Sequence, residues 1–445
     1  MNTGKKDGMN KTVILCAGVA ALGGFLFGFD TIVINGAEQT IQKLWGLSAG
    51  MHGLVISAAL WGTVAGALVG GYFTERYGRR ETLFWVGILY FVSSVWSGLA
   101  DGPYALMAAR FMGGLGVGVS TIAAPMYISE ISPAKSRGKL TALFQFNIVF
   151  GVSVAVFSNQ LLANVGANAW RWMLGVEAFP ALVFTVLCLR LIESPRWLIV
   201  RKGDFAAGLG VFKALNPAMG EAEVRLLAEE VERSRWEEGQ KAAPFFTRHL
   251  WRPIMLAFLV AFFNQLSGIN AIWYFAKRVF MMAGLSDAAA LQQVSWLGVV
   301  NFWATFAGLW LIDRIGRKTL LLIGGIGYIV SLAVCSWSFY AGKAGLAPAC
   351  IFAFMVAHAV GQGTVIWVFI SEIFPNLHRA AGQALGSFTH WIFAALLTLV
   401  FPKMAETLHP GTIFAFFGFM TVLHLLWVVF LVPETKGRPL EEIRL

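Results

Sequence analysis

Twelve long apolar runs, separated by shorter polar segments, dominate the chain. Each run is about 20 residues long, which is the length that an α-helix needs to cross the hydrocarbon core of a bilayer. The runs do not alternate apolar and polar residues, as the strands of a membrane β-barrel do. The pattern therefore predicts an all-α membrane protein with twelve transmembrane helices, at residues 12–34, 52–73, 82–100, 104–129, 138–162, 171–192, 252–281, 290–312, 319–340, 347–370, 381–403 and 411–432.

A polar and charged segment at residues 193–250 separates the sixth run from the seventh. Within it, the stretch EAEVRLLAEEVERSRWEEG has apolar residues at helical spacing, which predicts a helix outside the membrane. We therefore divide the chain into an N-terminal six-helix bundle (1–192), a cytoplasmic helical linker domain (193–250), a C-terminal six-helix bundle (251–432) and a cytoplasmic tail (433–445).

The two halves carry the same two motifs in the same order. Residues 75–80 read ERYGRR and residues 313–318 read DRIGRK, and each stretch follows the second predicted helix of its half. Further on, Ser129 begins SEISP and Ser371 begins SEIFP, and in both copies an arginine follows four residues after the proline. Such repeats of six helices are typical of transporters in which two bundles rock about a central site.

The repeated motifs bring acidic residues, arginines and a turn glycine to one side of the membrane. We expect ion pairs among them to hold that side closed and to break when it opens. Loop charge that follows the positive-inside rule is the alternative, and it explains the arginines but not the carboxylates. The predicted latch consists of Glu75, Arg76, Arg79, Glu130, Arg137, Asp313, Arg314, Arg317, Glu372 and Arg379.

Composition supports the membrane assignment. Of the 445 residues, 57% are hydrophobic and 13% are charged, whereas soluble domains have about 25% charged residues. The net charge is +10, and most of the 34 Lys and Arg residues fall between the runs on one side, which indicates the cytoplasmic side. We therefore predict a multi-pass inner-membrane protein with both termini in the cytoplasm, in contact with lipid and not with nucleic acid.

Enzyme chemistry has no sequence support. The four cysteines lie in apolar runs, and the sequence has no catalytic constellation, no metal-ligand spacing and no phosphate-binding Walker loop. We predict that the protein is not an enzyme and needs no metal or organic cofactor.

One acid, Asp30, lies inside the first apolar run, and one arginine, Arg110, lies inside the fourth. An ionised Asp at the centre of a membrane helix costs about 2.5–3.5 kcal/mol on insertion scales, so such residues usually find a partner. If Asp30 alternates between Arg110 and a proton, it becomes a proton carrier. A permanent structural ion pair, or an Asp solvated near the outer surface, is the alternative.

The seventh run carries the uncharged amides Asn264, Gln265 and Asn270. Amide groups both donate and accept hydrogen bonds, as sugar hydroxyls do, so this cluster favours a neutral polyhydroxylated ligand. Hydrogen bonding between helices is the alternative interpretation. Trp367 and Trp391 could stack on a sugar ring, although packing is the more common role of a single tryptophan.

Together these residues resemble the sugar porter family of the major facilitator superfamily. The resemblance rests on RYGRR, PMYISEISPAKSRG, ESPRWL, NQLSGIN, DRIGRK, SEIFP and PETKG, and GFD with RGKLTALFQF is closest to bacterial proton-coupled sugar symporters of the xylose type. It implies two six-helix pseudo-repeats, alternating access, a monosaccharide substrate and a monomer. It also implies proton coupling through Asp30 and Arg110, and a sugar site lined by Phe27, Gln145, Asn264, Gln265, Asn270, Tyr274, Trp367 and Trp391.

Some positions depart from the family pattern. Asn264 replaces the first of two paired glutamines, GQGTVIW before Trp367 lacks the usual prolines, and His390 stands where an amide is common. The sequence as a whole predicts a proton-coupled monosaccharide symporter. A proton-independent facilitative uniporter is the first alternative, and a transporter-like sugar sensor is the second.

Overall fold

The structure, a computed structural model, describes residues 10–133, 136–240, 244–375 and 378–436. Within them, twelve helical stretches are long and apolar enough to cross a membrane, which confirms the predicted number. They run over Lys11–Gly36, Ala49–Tyr77, Arg79–Leu99, Pro103–Ile131, Arg137–Leu162, Ala169–Cys188, Arg248–Tyr274, Asp287–Ile315, Arg317–Tyr340, Ala344–Ile373, Arg379–Thr407 and Pro410–Leu431.

Among the described residues, eight α-helices form the first half, because the first membrane stretch is followed by a short helix and the sixth is divided in two. They are α1 (Lys11–Val33), α2 (Glu38–Leu44), α3 (Ala49–Tyr77), α4 (Arg79–Leu99), α5 (Pro103–Ile131), α6 (Arg137–Leu162), α7 (Ala169–Gly175) and α8 (Ala178–Cys188).

Three helices follow in the predicted linker domain: α9 (Pro195–Trp197), α10 (Phe205–Leu215) and α11 (Glu221–Gln240). The helix α11 covers the stretch with helical spacing, and Val224 and Ala228 are buried on one face of it. Residues 241–243 of the linker and 437–445 of the predicted tail lie outside the described residues.

Among the described residues, nine α-helices form the second half, because its first and fourth membrane stretches are each divided in two and a short helix follows the first stretch. They are α12 (Trp251–Leu266), α13 (Ile269–Tyr274), α14 (Ala276–Met282), α15 (Asp287–Ile315), α16 (Arg317–Tyr340), α17 (Ala347–Val360), α18 (Gln362–Ile373), α19 (Arg379–Thr407) and α20 (Pro410–Leu431). Short 3₁₀ turns lie at Ile34–Gly36, Arg248–Leu250 and Ala344–Leu346, and a π-helical turn lies at Leu198–Lys202.

The halves are built alike at equivalent positions. Ser48 caps α3 and Ser286 caps α15, each with its hydroxyl accepting a hydrogen bond from a backbone N–H of the first turn. The same two helices end at Gly78 (φ 96°) and Gly316 (φ 94°), a backbone region that side chains other than glycine rarely adopt. The repeated motifs therefore produce the same tight turn twice.

Close helix packing in the first half depends on small residues. A Cβ atom at Gly114 on α5 would lie 1.9 Å from the carbonyl oxygen of Ala59 on α3. Further along the same pair, a Cβ atom at Gly118 would lie 2.4 Å from the carbonyl oxygen of Thr63. These glycines let the two backbones touch, as small residues do in membrane helix interfaces.

The two halves contact each other through α3 with α19 and through α6 with α15. We call the membrane side with the turns at Gly78 and Gly316 the motif side, and the opposite side the far side. The end of α1 and the end of α13 meet on the far side, where the Asn35 side chain donates to the carbonyl oxygen of Trp273 (2.6 Å). The halves are thus drawn together on the far side.

Candidate functional site

Asp30 on α1 and Arg110 on α5 form an ion pair in the interior of the first half. Arg110 donates to the Asp30 carboxylate (Nη1 to Oδ1, 2.5 Å) and to the Asp30 carbonyl oxygen (Nη2 to O, 2.6 Å). Only 1% of Asp30 and 2% of Arg110 is exposed. Because neither charge is hydrated, each compensates the desolvation of the other.

A second carboxyl, that of Glu177 at the junction of α7 and α8, faces Asp30 and is also buried. Neither Asp30 Oδ2 nor Glu177 Oε1 has a hydrogen-bond donor among the described residues. Ionised carboxylates only accept hydrogen bonds, so one proton placed between the two groups would supply the missing donor. Glu177 was not among the predicted residues, although an acid inside the sixth apolar run carries the same signal as Asp30.

Gln265 on α12 is the centre of the amide cluster. Its Nε2 donates to Asn264 Oδ1 (2.8 Å) and lies 3.0 Å from His390 Nδ1, while Asn270 donates to Gln265 Oε1 (2.7 Å). Gly268 (φ 89°) breaks the helix between α12 and α13 and brings Asn270 back against Gln265. The predicted amides are therefore assembled by a break that side chains other than glycine would resist.

Aromatic rings lie beside this cluster. The ring of His390 is 5.1 Å from Trp367 and 4.8 Å from Trp391, centroid to centroid. Phe27 of the first half makes an edge contact with Trp391 of the second half (5.5 Å). The predicted cavity residue Gln145 is partly exposed on α6.

Tyr274 occupies a different place from the other predicted cavity residues. It is fully buried at the end of α13, and its hydroxyl faces Thr31, next to Asp30 and Arg110. This hydroxyl has no hydrogen-bond partner among the described residues. Tyr274 therefore connects the helix that carries Asn270 with the buried ion pair.

The motif of the first half forms a compact charged cluster around Arg79. Arg79 donates to both carboxylate oxygens of Glu130 (2.9 Å each) and to Glu75 (3.0 Å). Glu193, after α8, accepts from the backbone N–H of Arg79 (3.0 Å), and Ser194 donates to Glu130. Burial raises the pKa of Glu193 above its usual value, although hydrogen bonds from backbone N–H groups oppose this shift.

The second half repeats this cluster around Arg317. Arg317 donates to both carboxylate oxygens of Glu372 (2.7 and 3.0 Å) and lies 3.2 Å from Asp313. Glu434 accepts from the backbone N–H of Arg317 (2.9 Å), and Thr435 donates to Glu372 (2.6 Å). Each half thus uses the segment after its sixth membrane helix to complete the cluster.

Arg79 has its described contacts within the first half, and Arg317 has its described contacts within the second half. Neither arginine is described as contacting the opposite half. Arg76, Arg137, Asp313 and Arg314 are exposed, with the Arg314 guanidinium over the Trp310 ring (3.8 Å), and Arg379 is partly buried. The structure therefore brings the arginine after the turn glycine, not the one before it, into each cluster. Within the described residues, no group of three or more His, Cys, Asp or Glu side chains could hold a metal ion.

Comparison with known proteins places this geometry in context. Residues 16–445 match the profile of a family described as sugar (and other) transporter. The arabinose-proton symporter of Bacillus subtilis is 33% identical over 440 residues, which cover 97% of this chain and 94% of that protein. The D-xylose-proton symporter of Escherichia coli K12 is 32% identical over 465 residues, which cover 96% of this chain and 94% of that protein.

Solved structures give the same match in three dimensions. The inward open conformation of the xylose transporter XylE from E. coli matches with a TM-score of 0.85 at 31% identity, over 97% of this chain and 98% of that one. The proton:xylose symporter XylE bound to 6-bromo-6-deoxy-D-glucose matches with a TM-score of 0.80 at 31% identity and the same coverage. Of these two structures, the inward open one is more similar to this chain.

Proposed function

The chain belongs to the sugar porter family of the major facilitator superfamily, and from this membership we propose that it transports a neutral monosaccharide together with a proton by alternating access. The observation that carries the proposal is the buried Asp30–Arg110 pair with the Glu177 carboxyl against it. Two buried carboxyls that face each other can share a proton, which a carrier that moves sugar alone does not require.

The proton step takes place at the two carboxyls. While Asp30 is ionised, Arg110 holds it through a charge-assisted hydrogen bond. With one proton already held by Glu177, uptake of a second proton by Asp30 removes the charge that Arg110 compensates and weakens the pair. The energy of a buried group depends strongly on the charge beside it. The protein with the proton bound and the protein without it therefore favour different helix arrangements.

The sugar step takes place between the halves, near Gln265, Asn270 and Trp391. The amides match the mixed donors and acceptors of sugar hydroxyls, and the tryptophan faces offer apolar surface for the ring. The substrate that suits this site is a hexose or a pentose. His390 adds an imidazole to the same wall, 3.0 Å from Gln265.

The motif side is assigned to the cytoplasm on the positive-inside rule, which places both termini there and the far side outside the inner membrane. A monomer is sufficient, because the sugar site and the carboxyls lie within one chain. In the inward-facing arrangement, the Arg79 and Arg317 clusters brace each half; when the motif side closes, the two clusters face each other and act as the latch.

Uptake into proteoliposomes tests the proposed coupling. With an inward proton gradient, labelled sugar is expected to accumulate above its external concentration, and without the gradient it should only equilibrate. Sugar that never exceeds equilibrium would identify a facilitative uniporter. Sugar binding without any flux would identify a sensor. Competition by glucose, xylose, galactose, fructose and inositol then defines the preferred substrate.

Replacing Gln265 with leucine is expected to weaken sugar binding by about 10- to 100-fold. The change removes an amide that would hydrogen-bond the sugar and that positions Asn264, Asn270 and His390, and each neutral hydrogen bond contributes about 0.5–1.5 kcal/mol. Sugar dependence of tryptophan fluorescence in detergent measures the affinity. Gln292→Leu, at an exposed amide on α15, is the matched control and should bind normally. Unchanged affinity in Gln265→Leu would show that the amide cluster only joins helices.

A further inference from the structure

A buried ion pair joins the two halves on the far side, away from the sites described above. Glu38 begins α2 in the first half and is fully buried. Arg278 on α14 in the second half binds both of its carboxylate oxygens (Nη2 to Oε2, 2.9 Å; Nε to Oε1, 3.3 Å). This fork geometry is the strong, directional form of an arginine–carboxylate contact.

Other groups of both halves surround the pair. Arg278 also donates to Gln42 on α2, and Gln42 donates to Glu406 on α19 (3.4 Å). His52 on α3 places its Nε2 atom 3.2 Å from Glu38 Oε2. Among the described residues, the charged group in contact with the His52 ring is Glu38, and Arg278 lies behind Glu38. The His52 ring also packs edge-on against the Phe275 ring, with 6.0 Å between the ring centroids.

Glu38 is charged in this arrangement. Burial by itself raises the pKa of the carboxyl, but the contacts with His52 and Arg278 outweigh it and leave the pKa below its usual value. Removing either cationic partner would leave a buried, uncompensated negative charge, which is strongly unfavourable.

The two partners of Glu38, Arg278 and His52, behave differently when the far side opens. Arg278 belongs to the second half and moves away, whereas His52 belongs to the same half as Glu38 and stays. An ion pair across a moving interface stabilises only the state in which the interface is closed.

We propose that Glu38 and Arg278 are a gate that locks the far side, and that protonated His52 replaces Arg278 as the partner of Glu38 when this side opens. The proposal rests on the proposed alternating-access transport. A proton on His52 is repelled by Arg278 in the closed state but not in the open state, so acid favours opening. Because the far side is the proposed side of proton entry, the gate opens where protons are abundant.

Thiol cross-linking with a short bifunctional reagent measures the closed state directly. The side chains of Gln42 and Glu406 meet across the halves (3.4 Å), so Gln42→Cys with Glu406→Cys gives a full-length background that the reagent bridges when the far side is closed. In this background, Glu38→Gln and Arg278→Gln are each expected to slow cross-linking at least about fivefold. Asp101→Asn breaks a more exposed ion pair with Arg171 inside the first half and should leave the rate unchanged.

Acidification tests the role of His52. We compare the cross-linking rate of the His52→Asn variant with that of the protein that retains His52. As the pH is lowered from 7.5 to 5.5, the ratio of these two rates is expected to rise, because only the protein with His52 opens in acid and loses cross-linking. Comparison at each pH cancels the effect of pH on thiol reactivity. A constant ratio would overturn the exchange of partners, and an unchanged rate in both Glu38→Gln and Arg278→Gln would overturn the gate.

Two measurements keep these outcomes interpretable. Sugar binding by tryptophan fluorescence shows that each variant is folded, and Arg278→Lys, which keeps the charge but not the fork, should fall between the parent and Arg278→Gln. Uptake assays are run separately. If uptake fails while the cross-linking results hold, the proposed transport function is wrong but the far-side lock remains.

Discussion

Replacing Asp30 with asparagine is expected to abolish sugar accumulation and to leave sugar exchange across the membrane intact. Asparagine keeps the shape and can still accept a hydrogen bond from Arg110, but it cannot gain or lose a proton. With one proton per sugar, an inward gradient of one pH unit drives about tenfold accumulation in the unmodified protein. The expected accumulation ratio of Asp30→Asn is one, measured as labelled sugar in proteoliposomes.

Exchange between internal and external sugar separates coupling from structure in this variant. Asp101→Asn, at an acid with a 98% exposed side chain, is the control and should accumulate sugar normally. Loss of both accumulation and exchange in Asp30→Asn would mean that the ion pair is structural. Full accumulation would mean that the proton binds elsewhere.

Replacing Arg79 with glutamine is expected to lower the free energy of unfolding by about 3–5 kcal/mol, because it removes the buried cation that joins Glu130 to Glu75, while Arg201 remains in contact with Glu75 alone. Only 4% of Arg79 is exposed, and it holds Glu130 and Glu75 together. Reversible unfolding of the protein in mixed micelles, followed by helix content, measures the change.

Arg76 provides the matched control for this experiment. It lies in the last turn of α3, before the turn at Gly78, but is exposed, so Arg76→Gln should change stability by no more than about 0.5 kcal/mol. Arg317→Gln, in the second copy of the motif, should resemble Arg79→Gln. If the Arg79 and Arg76 variants were equally mild, loop charge alone would explain the motifs.

The membrane helices could be predicted because apolar length is itself the physical requirement for spanning a bilayer. The interruptions inside these membrane helices could not be predicted from apolar length. The predicted span 252–281 ends instead at Tyr274, because the backbone at Phe275 (φ −118°) separates α13 from α14, and Gly268 (φ 89°) interrupts the stretch before that point. Hydropathy registers neither feature. The division of the tenth stretch at Gly361 is likewise a backbone property, with little trace in the apolar pattern.

The site was partly visible in the sequence. Charges inside apolar runs identified Asp30 and Arg110, and their contact follows from the cost of leaving either alone. Arg79 rather than Arg76 lies at the centre of the cluster because of the direction in which α4 leaves the turn at Gly78. This direction is a property of the folded chain. Nothing in the sequence distinguishes Glu38, which lies between two predicted membrane helices and whose partner Arg278 is 240 residues away.

The segments after the sixth membrane helix of each half belong structurally to the bundles. Glu434 and Thr435 are tied to the start of α16 and to Glu372, just as Glu193 and Ser194 are tied in the first half. Fluorescent or affinity tags at the carboxyl end should therefore be joined after Lys436. A truncation that removes Glu434 would strip the cap from a membrane helix and produce a chain prone to degradation during biosynthesis.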